Sequence, residues 1–333
     1  MTQKSALDRD QAVGIFVPPP LDLTVSRSIH NPGIGRVNKE IHARLWERLD
    51  NSGLSISPDL NFRHALIHNG AVLFSDKQDC SIRKYFWYCE IDRKPNGFDF
   101  SVLKSLSARM PVARDPHLYE RALDKHSAFS LLRKYNVPVS ETILVSPKSI
   151  HQAESLIRSW EMAVLKPRRG GYGKGVTLFN NYETLRDAIE YIEATTPQSS
   201  EGGFYLERFY ENDIKDWVSV TIIDGQIVYG YRKNPDRFVS LGNGKLKVYS
   251  KDEISGGVSL CAISPLQEKI ALDAYNALGL EVIGFDMLLN NGTPIIVDVN
   301  TFPGMYQDLF EEQGLVGGDL FFNMIVRSLR LEV

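Results

Sequence analysis

The stretch Val164-Leu165-Lys166-Pro167-Arg168-Arg169-Gly170-Gly171-Tyr172-Gly173-Lys174-Gly175-Val176 constrains this chain more than any other. An apolar strand ends in lysine and runs at once into a glycine-rich turn. Val176-Thr177-Leu178-Phe179 reads as a second strand on the far side. A hairpin of this kind folds over an anion as a flap, offering an ammonium group and a row of backbone N–H groups. Two familiar alternatives are excluded. Lys174 is followed by Gly175 where a phosphate-binding P-loop needs Ser or Thr, and no helix pattern follows as a dinucleotide fingerprint requires. Alone, the run is also compatible with a basic surface turn.

Far downstream, Asp286 and the run Ile296-Val297-Asp298-Val299-Asn300-Thr301-Phe302-Pro303-Gly304 supply complementary chemistry. Val282 to Leu289 and Pro294 to Val299 read as two strands of a hairpin around Asn290-Asn291-Gly292. Strand alternation puts Asp298 and Asn300 on one face, with Asp286 on the neighbouring strand. Three oxygen donors on a rigid two-stranded base suit Mg²⁺, a hard cation usually held by one or two carboxylates plus substrate phosphates. Mn²⁺ accepts the same donors. Read separately, these carboxylates are equally ordinary turn or edge residues. Together with the glycine hairpin they describe a site for the magnesium complex of ATP.

At 333 residues the chain exceeds one ordinary core, and two or three packed subdomains are expected. A formal net charge of -3 gives no basic footprint of the kind nucleic-acid binders carry. The polar start lacks the apolar core of a signal peptide, and no apolar run approaches the roughly 20 residues that span a bilayer. Cys80, Cys89 and Cys261 are odd in number and widely spaced, which suits a reducing compartment and gives no disulfide or zinc pattern. A cytoplasmic protein with neither nucleic-acid nor membrane partners is expected.

Three segments follow from the pattern. Residues 1–112 read as an α/β domain: a strand over Val13 to Val17, a helix from Asn38 to Leu49 with Ile41, Leu45 and Leu49 on one face, a hairpin around Asn69-Gly70, a strand at Tyr85 to Cys89 and a helix from Phe100. Residues 113–203 begin with one helical run from Pro116 through Tyr135 and continue through a strand at Thr142, a helix from His151 to Trp160, the glycine hairpin and a helix from Glu183. Residues 204–333 hold a strand from Phe204, a hairpin closed at Asp224-Gly225, a helix from Ser264 to Leu278 with Ser264 as N-cap and Gly279 as stop, and the acidic hairpin. The loop Asn31 to Arg36 could bind an anion at a helix start, although an ordinary turn accounts for it as well.

The order Lys125, Lys166 with its glycine loop, Glu207, Asp286, then Asp298-x-Asn300 resembles the ATP-grasp superfamily. The branch it most resembles is that of glutathione synthetase and the ribosomal-protein glutamate ligase. The resemblance runs from Val112 to Tyr306, over ordered motifs rather than one short match. It implies an α/β (α+β) fold: an N-terminal pre-grasp domain followed by two α+β subdomains that clasp the nucleotide. It implies that Lys125 and Lys166 meet the phosphates, that Gly170, Gly171, Tyr172, Gly173 and Gly175 fold over them, and that Lys166 and Arg232 have catalytic roles. Glu207, with the backbone of Arg208 and Phe209, matches the strand that receives adenine, and Asp216 matches the acid near the ribose. Arg232, Ser255, Gly256 and Gly257 match positions near the phosphate and the acceptor, and Asp286, Asp298 and Asn300 match the magnesium ligands. Two departures stand out. Asp298 replaces the usual glutamate, as in the inositol-phosphate kinase branch, and Val218 stands where an arginine is frequent.

The implied activity is ATP-dependent ligation of a small carboxylate to an amine through an acylphosphate, with release of ADP and phosphate, by a homodimer. Two other readings stay open: a small-molecule kinase using the same nucleotide site on a hydroxyl acceptor, and a nucleotide-binding regulatory protein without turnover.

Overall fold

The computed structural model describes residues 12–19, 37–74, 82–94, 96–171, 175–195, 202–212, 216–233, 238–241, 246–249 and 258–332. The expected site residues Tyr172, Gly173, Ser255, Gly256 and Gly257, and the loop Asn31 to Arg36, lie outside the described residues.

The apolar runs near the start form a four-stranded parallel sheet in the order Ile56–Ser57, Val13–Phe16, Lys84–Trp87, Val112–Ala113. Parallel strands are covered on both faces, which is why Val13, Ile15, Tyr85, Phe86 and Trp87 are all buried without a polar alternate. Helix Lys39–Asp50 buries Ile41, Leu45 and Leu49 as expected, and Asn38 caps it by accepting the Ile41 N–H at 2.8 Å. The expected boundary at 112 does not isolate a core, however. Helix Gly317–Ser328, at the other end of the sequence, packs on Lys39–Asp50 and puts Phe321 and Ile325 in one cluster with Val13, Ile15 and Leu45. Arg44 fastens the two helices, its Nε donating to Asp319 Oδ1 at 2.8 Å.

The middle of the chain forms an antiparallel sheet in the order Thr142–Val145, Phe204–Arg208, Ala163–Lys166, Thr177–Phe179, with Leu165, Leu185, Ile189 and Leu206 in its own core. Its central strand begins at Phe204, so this sheet extends past the expected boundary at 203. The helical run from Pro116 to Tyr135 is broken at Asp124, whose extended backbone ends helix Pro116–Leu123. Its carboxylate accepts the Ser127 N–H at 2.9 Å and so starts helix Lys125–Lys134. A short acidic side chain competes with the backbone ladder in this way and favours a cap over a helix interior. The break leaves Lys125 at a helix N-terminus rather than mid-helix. The expected helix from His151 is likewise two pieces, a 3₁₀ turn Ile150–Ala153 and an α-helix Glu154–Ser159.

The last third forms a five-stranded antiparallel sheet in the order Val258–Leu260, Gln226–Lys233, Val218–Ile223, Val282–Asn290, Thr293–Asn300. Local chemistry fixes its edges. Ser264 and Gln267 form a reciprocal capping box before helix Pro265–Leu278, and Gly279 ends that helix at φ +71°. Asn291 and Gly292 both have positive φ, as a two-residue hairpin turn demands. One face of this sheet buries Val220, Phe285 and Met287 in a cluster shared with Phe100 and Tyr119 from before residue 120. The middle and last sheets meet where Val139 bridges Ile296, with Ser140 N–H donating to Ile296 O at 3.0 Å. Among the described residues no helix is long and apolar enough to cross a membrane.

Candidate active site

Each sheet contributes one charged face to the space where they meet. In the middle sheet Tyr205 lies opposite Lys166, and Glu207 lies opposite Val164. Lys166 and Glu207 are therefore diagonal neighbours on one face, within reach of long side chains. Lys166 Nζ donates to Glu207 Oε1 at 2.7 Å and crosses to the other sheet to donate to Val297 O at 3.3 Å. In the last sheet Asp286 faces Asp298 directly across the hairpin, and Gly284 faces Asn300. The register shifts just after Asp286, leaving Val297 as an extra residue on its strand. A bulge of this kind bends the strand and re-aims the side chains beside it.

Three lysine–carboxylate pairs result. Lys125 Nζ pairs with Asp298, Lys166 with Glu207, and Lys233 Nζ donates to Asp286 Oδ2 at 2.9 Å. Ser219, opposite Asp286 on the adjacent strand, donates its hydroxyl to Asp286 Oδ1 at 2.7 Å. Lys125 is placed by its own backbone, whose N–H donates to Arg168 O at 2.9 Å, and by the neighbouring Asp124, which pairs with Arg168 at 2.8 Å.

The charges act on one another as a group. Burial opposes ionisation of Lys166, but Glu207 and Asp298 outweigh it and hold the ammonium above its usual range. For Glu207 the balance runs the other way, and burial raises the carboxyl despite Lys166. The ion pair persists because Lys166 stays charged and keeps its short bond to Glu207. Burial also opposes the Asp298 charge, yet Lys125 and Lys166 together hold that carboxyl below its usual range.

The sequence-derived glycines have specific reasons to lack side chains. A Cβ on Gly170 would lie 2.8 Å from Pro167 Cβ, and one on Gly175 would lie 2.8 Å from Pro167 Cγ, so the turn curls tightly on that proline. Gly175 also has φ +74°, which favours glycine. A Cβ on Gly171 would collide with the Arg93 guanidinium.

The structure thus brings Lys125, Lys166, Glu207, Asp286 and Asp298 together, with Asn300 one alternation beyond Asp298. It does not do so for Arg232. Strand alternation puts Arg232 on the face opposite Lys233 and Tyr231, where its charge acts on Cys261. Lys233, which the sequence reading passed over, occupies the position beside Asp286 instead. Arg208 and Phe209 carry a second difference: their N–H groups already donate within the fold, to Glu141 O at 2.9 Å and to Met162 O at 3.1 Å. Asp216 is half-buried just before strand Val218–Ile223. Also unforeseen is a small apolar wall of Leu288, Ile295 and Val297, against which Tyr210 and Trp217 pack.

The donor set around Asp286 fits a metal held jointly with a ligand. No group of three or more His, Cys, Asp or Glu side chains among the described residues could hold a metal ion. Two carboxylates and the Asn300 amide therefore need further oxygens from a substrate, as phosphates provide for Mg²⁺.

A model of the RimK-like ATP-grasp domain matches residues 122–312, the stretch that carries all three pairs. The chain belongs to the RimK-like ATP-grasp family. Tetrahydromethanopterin:alpha-L-glutamate ligase of Methanocaldococcus jannaschii is 27% identical over 237 residues, 69% of this chain and 73% of that protein. A probable alpha-L-glutamate ligase of Shewanella pealeana is 22% identical over 306 residues, 91% of this chain but 60% of that longer protein. Among solved structures, D-alanine–D-alanine ligase from Bacillus anthracis complexed with ATP superposes with a TM-score of 0.64 at 17% identity, covering 96% of this chain and 97% of that one. That likeness shows the ATP-grasp fold over almost the whole chain, including the first segment that lies outside the family match.

Proposed function

We propose that this RimK-like ATP-grasp protein is an ATP-dependent carboxylate–amine ligase that forms an amide bond through an acylphosphate. The observation that carries the reading is the set of three lysine–carboxylate pairs at the junction of two sheets. The pairs sum to no net charge, which is a resting arrangement that a magnesium triphosphate can enter by exchange. Lys125 and Lys166 turn from carboxylates to phosphate oxygens, and Asp286, Asp298 and Asn300 are left to hold Mg²⁺ or Mn²⁺. The metal, when bound, neutralises phosphate charge there. The apolar wall of Val297, Leu288, Tyr210 and Trp217 suits a purine face, and Glu207 suits its amino group.

The reaction balances without a covalent enzyme intermediate. A carboxylate oxygen of the acid attacks the γ-phosphorus, the bond to the β-phosphate oxygen breaks, and ADP leaves. The amine nitrogen then attacks the acyl carbon, the bond to phosphate breaks, and a proton leaves the nitrogen. Lysines fixed by both sheets supply positioning and charge neutralisation, which dominate phosphoryl transfer. The names of the relatives favour amide formation over hydroxyl phosphorylation, and L-glutamate is the first amine to try. The free thiols Cys89 and Cys261 and the proposed use of ATP support a reducing, cytoplasmic setting.

The test is ADP release with ATP and Mg²⁺ over a matrix of small acids and amino acids, with mass spectrometry of products. The expected result is an amide formed only when acid and amine are both present, and abolished by chelation of the metal. A phosphorylated acceptor formed without any amine would overturn the reading in favour of a kinase.

A further inference from the structure

We propose that Arg93, from the first segment of the chain, is a positioning residue that latches the glycine-rich loop, and that Gly171 is glycine to admit it. The inference rests on the ligase reading for its effect on turnover, but its geometry is independent of that reading. Arg93 Nη1 donates to Gly170 O at 2.7 Å, and Nη2 donates to Glu90 Oε1 at 3.0 Å. A Cβ built on Gly171 would lie 2.5 Å from both Nη1 and Nη2 and 2.6 Å from Cζ, so the guanidinium lies directly against this residue. Two contacts that are each demanding therefore converge on adjacent glycines.

The platform that carries Arg93 is itself fixed. It follows strand Lys84–Trp87 of the parallel sheet. Asp92 N–H donates to Asp99 Oδ2 at 3.2 Å, Lys94 N–H donates to Asp92 Oδ1 at 3.1 Å, and Arg63 Nε donates to Asp99 Oδ2 at 3.3 Å. The loop residues beside Gly170 are tied to the same neighbourhood, Arg169 Nη1 lying 3.4 Å from Glu120 Oε1 and Arg168 Nη2 2.8 Å from Asp124 Oδ2. These two pairs orient the basic side chains, whereas Arg93 holds the glycine backbone itself. The placement of Gly170 and Gly171, close in sequence to the Arg168 carbonyl that accepts the Lys125 N–H, thus depends on a residue of the first segment. Such a loop shields an acylphosphate from water, so the latch sets how much of that intermediate reaches the amine.

A double-mutant cycle tests this directly. In Gly171→Ala the methyl displaces the flexible end of Arg93 and breaks its bond to Gly170 O, while the backbone of 171 needs no unusual φ. Gly171→Ala and Arg93→Met should therefore behave alike. Each should accelerate hydrogen exchange at the amides of residues 168–171 in the nucleotide-free protein. Each should also raise phosphate released per amide formed by about tenfold, the loss expected for a charge-assisted bond to a backbone carbonyl. Arg93→Lys should restore part of both. The Arg93→Met/Gly171→Ala double variant should be no worse than either single one, because the methyl then meets no guanidinium. Unchanged exchange in both single variants, or additive effects in the double, would overturn the latch. Wild-type protein that releases no ADP with any acid and amine would remove the ligase reading instead, and the exchange experiment would still decide the latch.

Discussion

Lys166→Met removes the cation from a pair whose side chains are only 14% and 5% exposed. Surface screening does not reduce an interaction this deeply placed, and breaking a buried pair by removing one partner costs about 3–5 kcal/mol. Glu207 has one way to lessen that cost, which is to bind a proton. Burial already raises its carboxyl in the intact pair, and loss of Lys166 removes the main opposing influence. A carboxyl whose folded value lies above the unfolded value of about 4.3 binds its proton more tightly in the folded state. The variant therefore gains stability as pH falls through that interval, by up to about 1.4 kcal/mol per pH unit, and levels off below the unfolded value. In the wild type, Lys166 is raised, so its contribution is complete below the unfolded lysine value of about 10.4 and is lost only at higher pH. The penalty of the substitution should accordingly be largest near pH 8 and shrink toward pH 5. Urea denaturation followed by circular dichroism across that range measures it. Lys166→Met/Glu207→Gln should recover most of the stability at pH 8, yet ADP release should stay at least about 10²-fold below wild type, as loss of a charge-stabilising donor requires. A penalty under about 1 kcal/mol, the range of exposed pairs, would refute the reasoning. So would a penalty equal at pH 5 and pH 8.

Three further outcomes follow from the pairings. Lys233→Met should reduce turnover more than Arg232→Met in steady-state ADP release, because alternation sends only Lys233 to Asp286; the reverse order would restore the role expected for Arg232. Ser219→Ala should raise the Mg²⁺ concentration for half-maximal activity by about 10–100-fold, the usual effect of removing a hydrogen bond that orients a ligand, and an unchanged metal titration would remove Ser219 from that role. Lys125→Met should shift the acid limb of metal-dependent nucleotide binding to higher pH. Asp298 is held below its usual range, so the site keeps its charge above that depressed value and loses it as pH falls through it. Nucleotide titrations from pH 4 to pH 7 check the shift, and coincident acid limbs would show that Lys125 does not set the Asp298 charge.

Much of the site was legible because its residues stand where local signals are strong. Lys166 ends an apolar strand, Asp286 and Asp298 lie on strands joined at Asn291-Gly292, and Ser264 and Gly279 bound a helix with visible caps. Glu207 was reached only through the family resemblance of its strand, and its bond to Lys166 depends on the register between two strands far apart in sequence. The break at Asp124 was missed because helical spacing continues across it; only the capping chemistry of aspartate hinted at the interruption.

The exchange of Arg232 for Lys233 has a different cause, and it shows what a sequence pattern leaves undetermined. Consecutive strand residues always face opposite ways, so one of the two had to face the carboxylates. Which one was decided by pairing with Val218–Ile223, where the register shifts between Thr221 and Ile222. A single shift reverses every later side chain relative to the partner strand, and nothing in Tyr231-Arg232-Lys233 announces it. Arg93 is hidden for a related reason. Its neighbours in sequence describe an ordinary loop after a buried strand, and its bond to Gly170 exists only once the first segment has packed beside the glycine turn. Local chemistry therefore pointed to Lys166, Asp286 and Asp298, the groups proposed to meet phosphate and metal, while the groups that orient them come from tertiary pairing, where alternation and register rather than residue type decide the contact.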